Sequence, residues 1–169
     1  MALSMYQASV PIYLHQIKAL SEILKKGAAY AEAKKIEPSV LLNSRLFPDM
    51  HPLTRQVQMV SDSAKGVCAR LAGIDPPSMP DTETTFEQLQ ARLTKTVDFL
   101  KSIKPEQIDG SEDRDIVLTL PNGKMPFKGQ AYLLGFAMPN FFFHVTTAYN
   151  ILRHNGVEVG KRDFLGVPG

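Results

Sequence analysis

Apolar residues return along the first stretch of the chain at steps of three and four: Val10, Leu14, Ile17, Leu20 and Leu24. That is the mark of a helix with one buried stripe, and it predicts a helix over residues 3–26. Pro11 falls inside it. Either Ser9 caps a helix whose first turn holds Pro11, where a missing N–H does no harm, or a longer helix bends there. Gly27 interrupts the pattern, so residues 28–35 read as a second turn or a bent continuation. Residues 38–48 read as a compact loop with a helical piece around residues 40–42.

The next stripe is stronger. Leu53, Val57, Val60, Ala64, Val67 and Leu71 alternate steps of four and three. Pro52 suits a first helical position, Asp49 is a candidate cap, and Gly73 with Pro76-Pro77 ends the helix. A third helix carries Phe86, Leu89, Leu93, Thr96, Leu100 and Ile103, closed by Pro105. Thr84 and Glu87 have the spacing of a capping box at its start. The period then shortens to two over residues 116–120, a strand. An Asn-Gly turn at Asn122-Gly123 and a return through Met125-Pro126-Phe127 predict a hairpin. Pro126 places the return strand at an edge, and so short a hairpin must pack on helices. A fourth helix starts near Gly129 and is kinked or restarted at Pro139. Phe141, Val145, Ala148 and Leu152 share its buried face, with His144 and Ile151 on the shoulder. Asn155-Gly156 stops it, and residues 157–169 read as an extended tail. The sum is an all-α fold, a four-helix bundle with a small β-hairpin between the third and fourth helices, in one domain over residues 1–169.

Composition changes this picture little. At 169 residues, 44% hydrophobic and 21% charged, the chain suits one globular core. No apolar run approaches a membrane span. The N-terminus has neither the basic nor the apolar region of a signal peptide, and a single cysteine, Cys68, fits a reducing compartment, so a cytoplasmic location is expected. The net charge of +2 is spread in short pairs such as Lys25-Lys26 and Lys161-Arg162, too thin for nucleic acid.

Few residues carry candidate chemistry. His144 lies beside the core stripe. An imidazole there serves as a hydrogen-bonded core residue, as a ligand-binding or acid–base group, or as one metal ligand. His51, Arg55, Gln58 and Asp62 form a polar stripe facing away from the leucines, either a solvated face or the wall of a cleft or contact. His15 reads as a solvated histidine, and His154 as a last-turn cation at the helix dipole. Tyr149 and Arg153 share a further face. Phe141, Phe142 and Phe143 cannot all enter one core at about 100° per residue, so one is expected on the hairpin or on a second subunit. Lys161-Arg162-Asp163 is expected to tie the tail to an acidic neighbour.

Two runs carry a resemblance. They are Phe143-His144-Val145-Thr146-Thr147-Ala148-Tyr149-Asn150-Ile151-Leu152-Arg153-His154-Asn155-Gly156 and Gly160-Lys161-Arg162-Asp163-Phe164-Leu165-Gly166. With Pro52-Leu53, Gln56-Val57-Gln58, Asp62 and Arg70-Leu71-Ala72-Gly73, they resemble the mainly bacterial domain-of-unknown-function family numbered nineteen-ninety-three. It is similar to the DinB/YfiT-like four-helix bundles, which implies that fold and often a homodimer. That broader group typically binds a divalent metal through a His late in the second helix and two His at i, i+4 in the last. Here His144 stands in the last helix with Asn140 and Ala148 four residues to either side, and the second helix offers Gln58 and Asp62. The function stays open between two readings. One is a homodimeric ligand-binding or interaction bundle without an intact metal triad, its pocket lined by His144, Asn140 and Tyr149. The other is a divergent metal-dependent enzyme whose ligands come from His144, Asp62 and Gln58.

Overall fold

A computed structural model describes residues 3–120 and 123–167. The Asn122 half of the expected turn lies outside the described residues.

Helix α1 (Val10–Lys34) is continuous through Gly27. That corrects the helix end expected at residue 26, with residues 28–34 continuing the helix rather than forming a second turn. A Cβ on Gly27 would stand 3.1 Å from Leu152 Cδ2 and 3.4 Å from Phe86 Cε1, so this glycine lets helices approach rather than ending one. Pro11 lies in the first turn of α1. Ser9 precedes it, but its hydroxyl donates to the Met5 carbonyl at 2.6 Å and does not cap. The short α2 (Pro38–Leu42) follows, then α3 (Leu53–Ala72). Asp49 does not cap α3. Pro52 is its extended cap residue, and the Leu53 N–H is spent on the Ser44 carbonyl at 3.0 Å.

Helix α4 (Phe86–Ser102) has the capping box one residue later than expected, on Thr85 and Gln88. That register places Phe86 at the first helical position and buries it. A turn of helix, α5 (Pro105–Ile108), leads to the hairpin. Strands β1 (Asp115–Leu120) and β2 (Gly123–Lys128) pair antiparallel with Val117 opposite Pro126. Ile116 and Leu118 are buried while Val117 between them is exposed, the alternation of a strand with one face on the core. Phe127 anchors the return strand, with its ring 5.7 Å from Tyr132 and 5.4 Å from Phe136.

The last helical stretch is α6 (Gly129–Tyr132), a π-helical turn (Leu133–Ala137) and α7 (Met138–His154). Pro139 has no N–H to give the Gly135 carbonyl four residues back, and its ring crowds that carbonyl. The chain widens there, and Met138 N–H reaches five residues back to Leu133. The expected interruption at Pro139 is thus absorbed as a π turn. Gly156 ends α7 at φ +91°, with Val157 N–H on the Leu152 carbonyl at 3.1 Å.

The tail is not wholly extended: it forms α8 (Lys161–Leu165) on the flank of α1. Gln16 Nε2 donates to the Phe164 carbonyl at 2.9 Å, and His15 Nε2 lies 2.8 Å from the Leu165 carbonyl. Asp163 also ties this tail to Lys26 of α1 at 2.6 Å. The long helices α1, α3, α4 and α7 share one apolar core with the hairpin, centred on Tyr13 and Phe141, whose rings meet edge to face at 4.7 Å. The fold is mostly helical, with a two-stranded hairpin before the last long helix.

Candidate functional site

Gln56, Ser63 and Arg70 recur every seven residues, which sets them on one side of α3. Each meets a polar group on the last helical stretch. Gln56 Oε1 lies 2.8 Å from His144 Nδ1, Asn140 Nδ2 donates to Ser63 Oγ at 2.8 Å, and Arg70 Nη1 donates to the Tyr132 hydroxyl at 3.2 Å. The partner numbers fall as the α3 numbers rise, so the two elements run antiparallel along a polar seam.

At one end of the seam His144 is buried. Gln56 Nε2 donates to the His51 carbonyl at 3.1 Å, so the amide turns its oxygen to the imidazole. Nδ1 of His144 therefore carries the hydrogen, and Nε2 keeps its lone pair. Burial lowers the pKa of this imidazole, and the nearby His51 and Arg55 lower it further. A neutral imidazole with one held nitrogen is suited to accept a proton or a hydrogen bond.

At the other end the hairpin, the π turn and α3 line an open cleft of about 240 Å³. Ser63, Arg70, Thr119, Tyr132, Phe136 and Asn140 are among its walls. Of the sequence candidates, Asn140 and Asp62 line this cleft; His144 does not. Tyr149 is on another side of α7, its ring 5.8 Å from Phe164 of α8. The structure thus places His144 and Asn140 at two points of one seam and Tyr149 on another side of α7, so the three do not line one pocket.

Gln58 and Asp62 are drawn into an ion cluster under the loop of residues 74–85. Arg92 of α4, 2% exposed, is its centre. It contacts Asp62 at 2.8 Å, Asp81 at 3.0 Å and Glu83 at 3.0 Å, and donates to the Pro80 carbonyl at 3.2 Å. Lys65 adds a contact to Asp62 at 3.0 Å, and Arg55 pairs with Asp81. Gln58 is buried and donates to Glu83 at 2.9 Å. Burial acts to lower the pKa of Arg92, but its hydrogen bond to Glu83 and the charge of Asp62 outweigh burial and raise it. The stripe of His51, Arg55, Gln58 and Asp62 is therefore covered by this loop over part of its length.

A family model described as a domain of unknown function (DUF1993) matches residues 5–165. The chain belongs to this family. It is also similar to a DinB family member protein from Shewanella denitrificans with a crystal structure at 1.83 Å. The two are 39% identical, with 96% of this chain and 92% of that one covered and a TM-score of 0.88. No curated protein matches the chain.

This DUF1993 chain thus has a DinB-like fold, and the fit of a divalent metal can be tested on its side chains. Among the described residues, no group of three or more His, Cys, Asp or Glu is placed to hold one. His144 is held by Gln56, Asp62 by two cations and Gln58 by Glu83. These residues do not fit a three-ligand metal centre. His51 and His154 are exposed, His154 in the last turn of α7. Among the described residues no helix is long and apolar enough to cross a membrane.

Several residues of the site escaped the sequence reading, among them Gln56, Arg92 and Arg70. Gln56 is hidden in a stripe of leucines and valines. Arg92 follows Leu89 by three and precedes Leu93, so its place next to the core stripe was the available signal. Arg70 has Gly66 four residues before it, and a glycine inside a strong helical pattern is itself a sign of close approach.

Proposed function

We propose that this DUF1993 protein is a ligand-binding bundle without a metal centre, and that the cleft beside the hairpin is its binding site. The observation that carries this reading is the meeting of Asn140 and Ser63 at 2.8 Å in a cleft walled by the π turn. Binding sites are concave and carry a few convergent polar groups that fix the orientation of a ligand, and π turns cluster at functional sites. α1, α3, α4 and α7 serve as the helices of a four-helix bundle, with the hairpin as one wall of the cleft.

The protein acts as a cytoplasmic homodimer in this reading. Supporting the location is the buried, unpaired Cys68 thiol. Supporting the dimer is Phe143, 56% exposed on α7 beside the buried His144. Sedimentation of the wild type against Phe143→Asp tests it, with loss of a dimer expected in the variant.

The binding site is tested by titrating isotope-labelled protein with a library of small polar fragments. Shifts centred on Ser63, Phe136 and the Asn140 amide, lost in Asn140→Leu, are expected. Shifts centred on His144 would move the site to the other end of the seam. Stoichiometric metal by mass spectrometry, lost in His144→Ala, would replace this reading with a metal-dependent one.

A further inference from the structure

We propose that the ligand of this cleft is a short carboxylate and that Arg70 holds its carboxylate group. The inference rests on the reading of the cleft as a binding site.

Arg70 is seated rather than loose. A Cβ on Gly66 would stand 2.6 Å from Arg70 Nη1, so the guanidinium lies back across the helix in the notch that this glycine leaves. Side chains on a helix lean toward its N-terminus, which carries the group one turn back from its own Cα. Tyr132 accepts from the same Nη1 at 3.2 Å and fixes the plane. Among the described residues the Arg70 side chain makes no other hydrogen bond or ion pair. Nη2 and Nε–H therefore remain for a planar two-oxygen acceptor, the geometry in which guanidinium binds carboxylate best.

Charge agrees with this. Arg70 is the cation in the wall of the cleft, and Asp62 is the anion there. Asp62 is already shared between Lys65 at 3.0 Å and Arg92 at 2.8 Å. An incoming anion therefore meets one uncompensated guanidinium.

The second polar point narrows the class. Ser63 is three residues before Gly66, about one turn or 5 Å along α3 from the seated guanidinium. Ser63 Oγ accepts from Asn140 and keeps its own O–H, while Asn140 keeps its carbonyl oxygen. The ligand thus carries a hydroxyl or amide about 5 Å from its carboxylate.

The test uses 4-hydroxybutyrate, its neutral primary amide and inorganic phosphate as probes, at constant ionic strength, read by chemical shifts of Arg70 Nε–H and the Asn140 amide. The acid is expected to saturate both signals, with the amide weaker by about tenfold or more. Arg70→Gln should lose about tenfold for the acid and little for the amide. Gly66→Ala should weaken acid binding by a similar factor while melting no lower than wild type. Equal affinity for acid and amide would overturn the proposal and leave the cleft as a site for neutral ligands. Tighter binding of phosphate than of the acid would overturn the carboxylate class. Full affinity in a folded Gly66→Ala would overturn the seat. Silence toward all three probes would also overturn it, and the fragment titration then decides separately whether the cleft binds anything.

Discussion

Gln56 and His144, 88 residues apart in the chain, face each other across α3 and α7 at 2.8 Å, with the Gln56 amide locked by the His51 carbonyl. One amide therefore sets the tautomer of a buried imidazole, while burial favours its neutral form. The amide offers a neutral oxygen, which accepts from Nδ1–H without adding a negative charge that would favour the imidazolium.

The first prediction concerns acid. Because burial lowers the pKa of His144, the unfolded chain takes up this proton before the folded one does. The stability associated with neutral His144 is fully present above the unfolded value of about 6.5 and declines as pH falls through the lower folded value. Urea unfolding of wild type and His144→Gln between pH 7.5 and pH 5 checks this, about one unit above and 1.5 below the unfolded value. A smaller loss on acidification is expected in the variant; parallel curves would show that His144 does not titrate abnormally.

Replacing the neutral oxygen by a charge should reverse the sign. In Gln56→Glu a carboxylate stands where the amide oxygen was, and an opposite charge at this range favours the imidazolium. The His144 ring signals should then titrate above the wild-type value by about one unit or more. Stability at pH 6 relative to pH 8 should fall less than in the wild type, and should rise once the folded value passes the unfolded value of about 6.5. An unchanged titration would mean that the side chain at 56 turns away from the ring.

How much of this was legible in the chain depends on range. The stripes of α3 and α4 repeat at three and four and give their helices directly. The hairpin announced itself by a change of period at Ile116. Pro139 signalled an interruption, but the choice of a π turn over a break depends on how the widened chain packs on α3. Gly27 looked like a stop because the contacts that require it, Leu152 and Phe86, are remote in sequence. The same holds for Asp62 and Gln58, whose partners lie on α4 and the 74–85 loop. Periodicity placed these residues on a face and carried no information about what covers that face. The seam could be read in half: Gln56, Ser63 and Arg70 have a visible spacing of seven, but their partners His144, Asn140 and Tyr132 do not share one period across the π turn.

Arg92 predicts the behaviour of the loop above it. Removing a buried cation strands the carboxylates around it, at about 3–5 kcal/mol for a buried pair. Here the Asp62 and Asp81 side chains are 40% and 38% exposed, so the expected cost of Arg92→Leu falls to about 2 kcal/mol. Cleavage within residues 74–85 should appear in limited proteolysis before α3 or α4 is cut. Glu83 adds a pH signature. Burial pushes its pKa up, but hydrogen bonds from Arg92 and Gln58 outweigh burial and hold it below the usual range. Its contribution is present above the unfolded value of about 4.3 and is lost as pH falls through the folded one. The loop should therefore become protease-sensitive in acid, and Arg92→Leu should show that sensitivity already at neutral pH.

Glycines give the last prediction, because three glycine-to-alanine changes should differ in sign. A Cβ on Gly129 would stand 1.9 Å from the Ser111 carbonyl oxygen, a backbone atom that cannot swing aside. The chain would have to part where Gln130 N–H meets the Glu112 carbonyl at 2.9 Å, so Gly129→Ala should cost about 3 kcal/mol or more. On Gly27 the nearest obstacle is a Leu152 methyl at 3.1 Å, which yields by a small rotation, for a cost of about 1 kcal/mol. On Gly66 the obstacle is the end of the Arg70 side chain, and the helix itself prefers alanine by about 0.5–1 kcal/mol. Melting temperatures should therefore rank Gly66→Ala at or above wild type, then Gly27→Ala, then Gly129→Ala. If Gly66→Ala melts well below wild type, the guanidinium is wedged by more than Tyr132 and cannot leave its notch.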